Sequence, residues 1–483
     1  MFDLNVKKFF SDFMDRHPEL NSNNISSVQL DGLWNSWKES FIEISDKYAP
    51  FKQSRLKNRI NKWMNPEIIK LIYKREYLHK KAKRTDDPTK SNTLWEQYKD
   101  IRNLVTKTIR KTKLDYYSHV AKSCKHNSKK LWTEIKGIFP SKRNAVTTDI
   151  SCESFNNYFS TIGAKTVAHI PSSASIHNDN FPDCIYSFTF SNVDESFVLR
   201  YLASLPDQSK NDILNFDTKL LKLSANYIFK SLSFIINTSL KIGHCPPDWK
   251  LARVSPAFKG KGDINDETHF RPLSVIGHLA KMSEMCVHKQ LTSYLLTHRL
   301  ISIDQFAYLK QHSTQTSLHR LVDDILENIN EKENTGLCFL DIKKCFDTID
   351  HNLLLFKLNK YGIKGNELAW FKSYLTNRTQ VVTFNNKVSS KKLINIGVPQ
   401  GTILGPILFL IYVNDLSNCV RNAHVNIYAD DVVIYTSDNN INILQSSLQD
   451  TLNSVYEWYN KNRLILSIDK CASMLINNKK NEE

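Results

Sequence analysis

Asp430 and Asp431 stand side by side in Tyr428-Ala429-Asp430-Asp431, between two apolar runs. About ninety residues upstream, Asp341 interrupts the apolar stretch Phe339-Leu340-Asp341-Ile342. Adjacent carboxylates in a hydrophobic hairpin do nothing for stability, because burying unneutralised charge is costly and a like neighbour raises that cost. A strand-turn-strand with both groups at its tip calls for a cation. A third carboxylate arriving from another strand makes a site for two divalent metals, Mg²⁺ or Mn²⁺. Two such ions, about 3.5–4 Å apart, activate an attacking hydroxyl and stabilise a leaving oxygen in phosphoryl transfer.

Other residues fit such a site but carry bland readings too. Gly397-Val398-Pro399-Gln400-Gly401 is a turn that runs into an apolar helix. Its glycines permit close backbone approach, and a helix N-terminus attracts phosphate. Gln400 offers a donor and an acceptor, useful for a sugar or base and equally for holding the turn. Arg271, in Phe270-Arg271-Pro272-Leu273-Ser274, can clamp phosphate bidentately, while Lys259 and Lys261 supply mobile charges from a glycine-rich turn. The alternative for these three is a surface hairpin with ordinary basic residues. Asp347 and Asp350 read as helix-capping charges. Lys470 is a general-acid candidate and otherwise a surface lysine.

The elements that must position these groups follow from periodicity. Leu337–Ile342 reads as a buried strand ending at Asp341, followed by a helix over His351–Tyr361. Val425–Tyr428 and Val432–Tyr435 form the hairpin around the double aspartate, and Thr402–Leu416 a helix. Arg253–Phe258 reads as a strand, as do Val381–Asn385 and Lys391–Ile396. Helices are expected at Val193–Leu205, Leu214–Ile242, Leu279–Arg299, Thr316–Glu331 and Ile441–Asn460. Leu464–Ile468 with Ser473–Ile476 makes a final hairpin. Residues 1–50 and 63–139 carry helical spacing, with Trp132 and Ile135 packing the last helix. Pro140–Asn180, rich in Ser, Thr and Asn, reads as linker.

The chain has 483 residues, room for two or three domains, and 41% hydrophobic residues, which describes a folded protein. Its charge of +16 is concentrated: residues 51–150 hold 26 Lys/Arg against 9 Asp/Glu, and the rest is near neutral. Such a segment attracts polyanions, nucleic acid first, although a solvated lysine-rich helical face fits as well. Nine cysteines without zinc-ligand spacing read as reduced thiols of an intracellular protein. Neither a signal peptide nor a membrane span is read, and Lys80-Lys81-Ala82-Lys83-Arg84 is a weak nuclear signal.

The order of these motifs, from basic turn through Arg-Pro, strand-Asp-x4-Phe, Pro-Gln-Gly-helix and Tyr-Ala-Asp-Asp to Lys470, resembles the fingers and palm of reverse transcriptases. Phe270–Ser274, Gln305–Thr314, Phe339–Leu355 and Gly397–Leu416 are similar to non-LTR retrotransposon enzymes of the jockey/CR1 kind, over roughly residues 200–476. The segment Trp63–Ile68 and the basic helices after it resemble the connector that these elements place before the polymerase.

The resemblance implies an α+β right-hand fold. Its palm would be an antiparallel sheet backed by helices, with helical fingers and a helical basic N-terminal region. The implied domains are 1–140 (connector), 141–190 (linker-like), 191–335 (N-terminal extension and fingers), 336–476 (palm) and 477–483 (tail). It implies RNA-directed DNA synthesis from deoxynucleoside triphosphates, on an RNA template and a DNA primer. Asp341, Asp430 and Asp431 would hold the metals, with the Ile342 carbonyl as a further ligand. Phe346 would exclude a ribose 2′-hydroxyl, Gln400 would line the nucleotide pocket, and Lys259, Lys261 and Arg271 would hold the triphosphate. Lys470 would protonate pyrophosphate.

The chain departs from the family's pattern at Ala307-Tyr308-Leu309, where Gly-Phe-Arg is usual, and at Lys210–Ile213, where Gly-x-Asp-Gly is usual. No endonuclease and no thumb are read, so poorly processive synthesis is expected. The competing expectation is a catalytically silent nucleic-acid-binding relic or a fragment of a longer polyprotein.

Overall fold

The computed structural model describes residues 2–10, 13, 25–50, 63–124, 131–132, 148–170 and 184–477. The chain divides into two compact units, one of residues 1–50 and 148–483, the other of residues 51–147.

The larger unit begins with α1 (Phe2–Phe10) and α2 (Ser27–Tyr48). A capping box between Ser26 and Gln29 starts α2, whose Leu30, Leu33, Trp34, Trp37 and Phe41 face inward at helical spacing. The Trp37 indole donates to the Ser231 hydroxyl at 2.9 Å, and its ring meets Phe216 edge to face. Residues 25–50 thus belong to the larger unit and not with the basic segment, with which the expected domain 1–140 grouped them.

The smaller unit is a helical hairpin of α3 (Pro66–Arg84) and α4 (Pro88–Ser123). Asn65 caps α3 by accepting from Ile68 N–H, Asp87 caps α4, and Pro sits at the start of both helices. Ile68, Leu78, Ala82, Val105 and Cys124 are buried among its described residues. Trp132 is 60% exposed, and Ile135 lies outside the described residues.

The stretch read as a linker contains α5 (Cys152–Val167), capped by Ser151 and burying Phe155 and Phe159. Beyond it come α6 (Glu195–Ala203), α7 (Thr218–Leu223) and α8 (Ala225–Ile242), the last stopped by Gly243 in the left-handed region. Strands β1 (Leu251–Phe258) and β2 (Phe270–Ile276) form an antiparallel hairpin, followed by α9 (His278–Thr297) and α10 (Thr314–Asn330). Then come β3 (Asn334–Asp341), α11 (His351–Lys360), α12 (Gly365–Leu375), β4 (Arg378–Phe384), β5 (Lys387–Val388) and β6 (Lys392–Ile394). The chain continues through α13 (Leu404–Val413), β7 (His424–Tyr428), β8 (Asp431–Asp438), α14 (Ile441–Lys461) and β9 (Ala472–Ile476).

Two sheets result. The palm sheet is antiparallel in the order β7-β8-β3-β9, and the second runs β2-β1-β4-β5 with β6 also on β4. Because β1 pairs with β4 in parallel, the expected helical fingers contribute β1 and β2 to a mixed sheet. The final hairpin is also corrected: β9 pairs with β3, whereas Leu466 makes only a bridge to Ile342. The fold is α+β, as expected, and α13, apolar on every face, is buried between the elements that carry the site.

A buried ion pair ties α11 to the turn after α13. The Lys357 ammonium donates to Asp415 and to the Tyr412 carbonyl, both at 2.5 Å, and the Trp458 indole donates to the other Asp415 oxygen at 3.1 Å. With its partners supplied, this charge is tolerated in the core; removing one partner would strand the other.

Candidate active site

Strand register brings the aspartates together. In the antiparallel β3–β8 ladder Asp341 lies directly opposite Asp431, and Tyr428 pairs with Asp431 across the β7–β8 turn. Ala429 and Asp430 form that two-residue turn, with Ala429 at φ +56°, a conformation that two-residue hairpins favour. The three carboxylates therefore sit at one end of adjacent strands, where a rigid sheet fixes them. Burial raises the Asp431 pKa, and the nearby Asp430 and Asp341 charges raise it further. Lys470 acts in the opposite sense, its ammonium donating to Asp341 at 2.7 Å.

Among the described residues no three His, Cys, Asp or Glu side chains are gathered closely enough to hold a metal as they stand. The donor set fits a hard divalent cation nonetheless: three carboxylates, mutually repelling, with a lysine ammonium supplying the positive charge at Asp341. Behind them the Asp341 carbonyl accepts from Ser467 N–H at 2.8 Å, which pins the strand end.

Phe346 lies against Phe409 of α13, ring centroids 5.0 Å apart and nearly parallel, and its carbonyl accepts from Val398 N–H at 2.8 Å. The Gly397 turn is thereby strapped to the Phe346 backbone. At φ +84°, Gly397 has room for no side chain: a Cβ would lie 2.8 Å from the Phe346 and Asp347 carbonyl oxygens. The Gln400 carbonyl accepts from Ser274 N–H at 2.8 Å, linking the turn to the strand that carries Arg271. Buried Glu284 accepts from Ile403 N–H at 2.7 Å and so fixes the start of α13.

Asp350 caps α11 as expected, accepting from Asn352 and Leu353 N–H. Asp347 does not cap. Its carboxylate accepts from the Gln400 side-chain amide at 3.0 Å and lines a pocket with Gly163, Arg378, Gln380 and Pro399. Burial lifts its pKa to about 6, against the pull of Lys344, the Gln400 bond and Lys259. The capping reading failed because it used only distance along the chain; Gln400 is 53 residues away.

The structure also brings in residues that the sequence reading passed over. The Lys344 ammonium donates to the Tyr158 hydroxyl of α5 at 3.3 Å, and its pKa is lowered by burial. Tyr158 is pushed up to about 12, first by burial and then by Asp266 and Asp347. Lys259 is likewise lowered, by burial and by the neighbouring charges of Lys344, Arg271 and Lys470. Lys344 and Lys259 act on Asp347, Lys470 acts on Asp341 and Asp431, and Arg271 lies beside Lys259, so the four cations make one basic neighbourhood. Lys261 does not join it: exposed at the tip of the β1–β2 connection, it makes no hydrogen bond or ion pair among the described residues. Lys344 was legible as a basic residue beside the Asp341 strand, but only α5 shows where it is held.

Paired aspartates on a hairpin, a turn-helix element beside it and a strand aspartate opposite make an arrangement suited to divalent cations and phosphoryl transfer. Residues 259–482 match the family model described as reverse transcriptase (RNA-dependent DNA polymerase). It is 33% identical over 272 residues to the RNA-directed DNA polymerase from mobile element jockey of Drosophila funebris, covering 54% of this chain and 29% of that protein. It is 30% identical over 275 residues to the probable RNA-directed DNA polymerase from transposon BS of Drosophila melanogaster, covering 54% and 30%. A Pol polyprotein from the type-1 retrotransposable element R2 of Popillia japonica is 25% identical over 176 residues, covering 36% of this chain and 24% of that protein. The match thus spans under a third of these relatives' length. Separately, residues 64–131 match the model described as female sterile protein K10 C-terminal domain. No described helix is long and apolar enough to cross a membrane.

Proposed function

We propose that this chain is an RNA-directed DNA polymerase of a non-LTR retrotransposon, adding deoxynucleotides to a primer 3′-hydroxyl on an RNA template. The observation that carries this reading is the register of β3 and β8, which sets Asp341 opposite Asp431 with Asp430 at the adjoining turn. Asp341, Asp430 and Asp431, with the Ile342 carbonyl, would hold two divalent ions, Mg²⁺ or Mn²⁺. Bound there, such ions supply charge for deprotonating the primer hydroxyl and for neutralising the departing pyrophosphate.

The remaining work falls to the chain's own side chains. Lys259, Lys344 and Arg271 gather positive charge where a triphosphate has to be held, and mutual repulsion leaves them short of counter-charge without it. Phe346, backed by Phe409, presents a fixed ring to the sugar. The Asp347 carboxylate can only accept, so it turns the NH₂ of Gln400 toward itself and leaves the Gln400 oxygen to meet the nucleotide. Lys470, whose ammonium donates to Asp341, would be the group placed to give a proton to pyrophosphate. Template sequence is read by base pairing, with the protein holding backbone and 2′-hydroxyls. A nuclear site of action is in keeping with the basic run in Lys80–Arg84.

A chain that binds nucleic acid without chemistry is the second reading, and the Lys470 contact to Asp341 favours it, since an internal cation already neutralises that carboxylate. Extension of a DNA primer on an RNA template, with and without chelation of divalent ions, separates the two. Metal-dependent extension supports the polymerase, and tight template binding without extension supports the relic.

A further inference from the structure

The outer face of α3 carries a pattern that the polymerase site does not use. Lys70, Tyr73, Lys74, Tyr77, Lys80, Lys81 and Arg84 recur at three- and four-residue intervals, and all are exposed. At 100° per residue they fall within one third of the helix circumference, over about 21 Å of its length. The acidic residues of α3, Glu67 and Glu76, lie outside this stripe, while Ile68, Leu78 and Ala82 occupy the opposite, buried face. Tyr73 and Tyr77, one turn apart, are 68% and 60% exposed, more than a solvated charged face requires. The Lys81 ammonium lies 5.7 Å from the centre of the Tyr77 ring, so cation and ring present a joint surface.

We propose that this stripe of α3 is a binding surface for single-stranded nucleic acid, with Tyr73 and Tyr77 stacking on bases and Lys70, Lys74, Lys81 and Arg84 following the phosphates. The inference deepens the polymerase reading and rests on it for the choice of RNA, the template, as the strand. Five cations uninterrupted by an acid complement a polyanion and exclude a basic or neutral protein partner. Two exposed rings among them favour a strand whose base faces are open. A duplex hides those faces and would set the rings against sugar and phosphate. Charge alone explains the lysines, and only unpaired bases explain the tyrosines.

Fluorescence anisotropy of the full chain with a labelled single-stranded RNA, a single-stranded DNA and a blunt RNA duplex, each across a salt series, tests this. Tyr73→Ala with Tyr77→Ala should weaken single-strand binding about tenfold or more with the salt slope unchanged. Tyr73→Phe with Tyr77→Phe should restore it. Lys70→Ala, Lys74→Ala and Lys81→Ala together should flatten the slope, and the same number of changes on α4 (Lys99, Lys107 and Lys111) should do so less. All these side chains are exposed, and circular dichroism checks that the hairpin keeps its helicity. Unchanged single-strand affinity in the tyrosine variant, or tighter binding to duplex than to single strand, overturns the proposal. Stronger binding to the DNA strand overturns the choice of RNA. Failure of the polymerase reading shows separately, as absence of primer extension by the unaltered chain, and leaves the binding result to be judged on its own.

Discussion

Asp347 is a buried carboxylate whose ionised form the protein holds at a cost, and removing the charge should show it. Its pKa lies near 6 against the ordinary 3.8, mainly through burial. A shift of about two units corresponds to about 3 kcal/mol between the two protonation states. Since Asp347 faces a pocket open to solvent, which screens part of this, about 2 kcal/mol is the expected effect on stability. Between the unfolded and folded pKa values the folded state binds more protons, so stability falls as pH rises from about 4 to 6 and is level above that. Asp347→Asn has no such slope and keeps an oxygen for the Gln400 amide. Its melting temperature should therefore exceed that of the unaltered chain by a few degrees at pH 8, and the gap should close by pH 4. Thermal melts of both chains across this range, followed by circular dichroism, give the comparison directly. A gap that does not vary with pH, or an aspartate chain more stable at pH 8, would refute the burial argument.

Three further outcomes follow from particular contacts. Lys357→Met leaves Asp415 charged and unpaired in the core, and denaturant unfolding should show a loss of about 3–5 kcal/mol. Phe346→Ala removes the ring proposed to meet the sugar, so ribonucleotide incorporation should rise relative to deoxynucleotide; unchanged selectivity in competition assays would end that role for Phe346. Tyr73→Ala with Tyr77→Ala on α3 should lower single-strand affinity with helicity unchanged by circular dichroism.

The aspartate hairpin, the strand ending at Asp341 and the apolar helix after Gly401 were legible because each is a local pattern: two apolar runs around a polar tip, or a run longer than a strand. α5 was not legible in the same way. Its buried apolar residues Phe155, Phe159 and Val167 are sparse, and Ser, Thr and Asn around them gave the stretch a linker's composition. The signal was present in Ser151 as a cap and in Phe155 and Phe159 one turn apart. Asp347 and Lys344 were misjudged or passed over because their partners, Gln400 and Tyr158, come from distant elements. Pairing of β9 with β3 instead of its sequence neighbour has the same origin: Ala472–Ile476 shows what a strand is made of, not which strand it joins. Residues 25–50 went to the wrong body because tryptophans at helical spacing do not say whose core they fill.

Primer extension on poly(rA)/oligo(dT) with Mg²⁺ or Mn²⁺ tests the central claim most directly, comparing the unaltered chain with Asp430→Asn. The account predicts product from the unaltered chain, none after chelation of the metal, and a loss of several orders of magnitude in the variant, with template affinity retained. Equal extension by both chains would remove the aspartates from the chemistry. Template bound tightly by both and extended by neither would make this a nucleic-acid-binding protein.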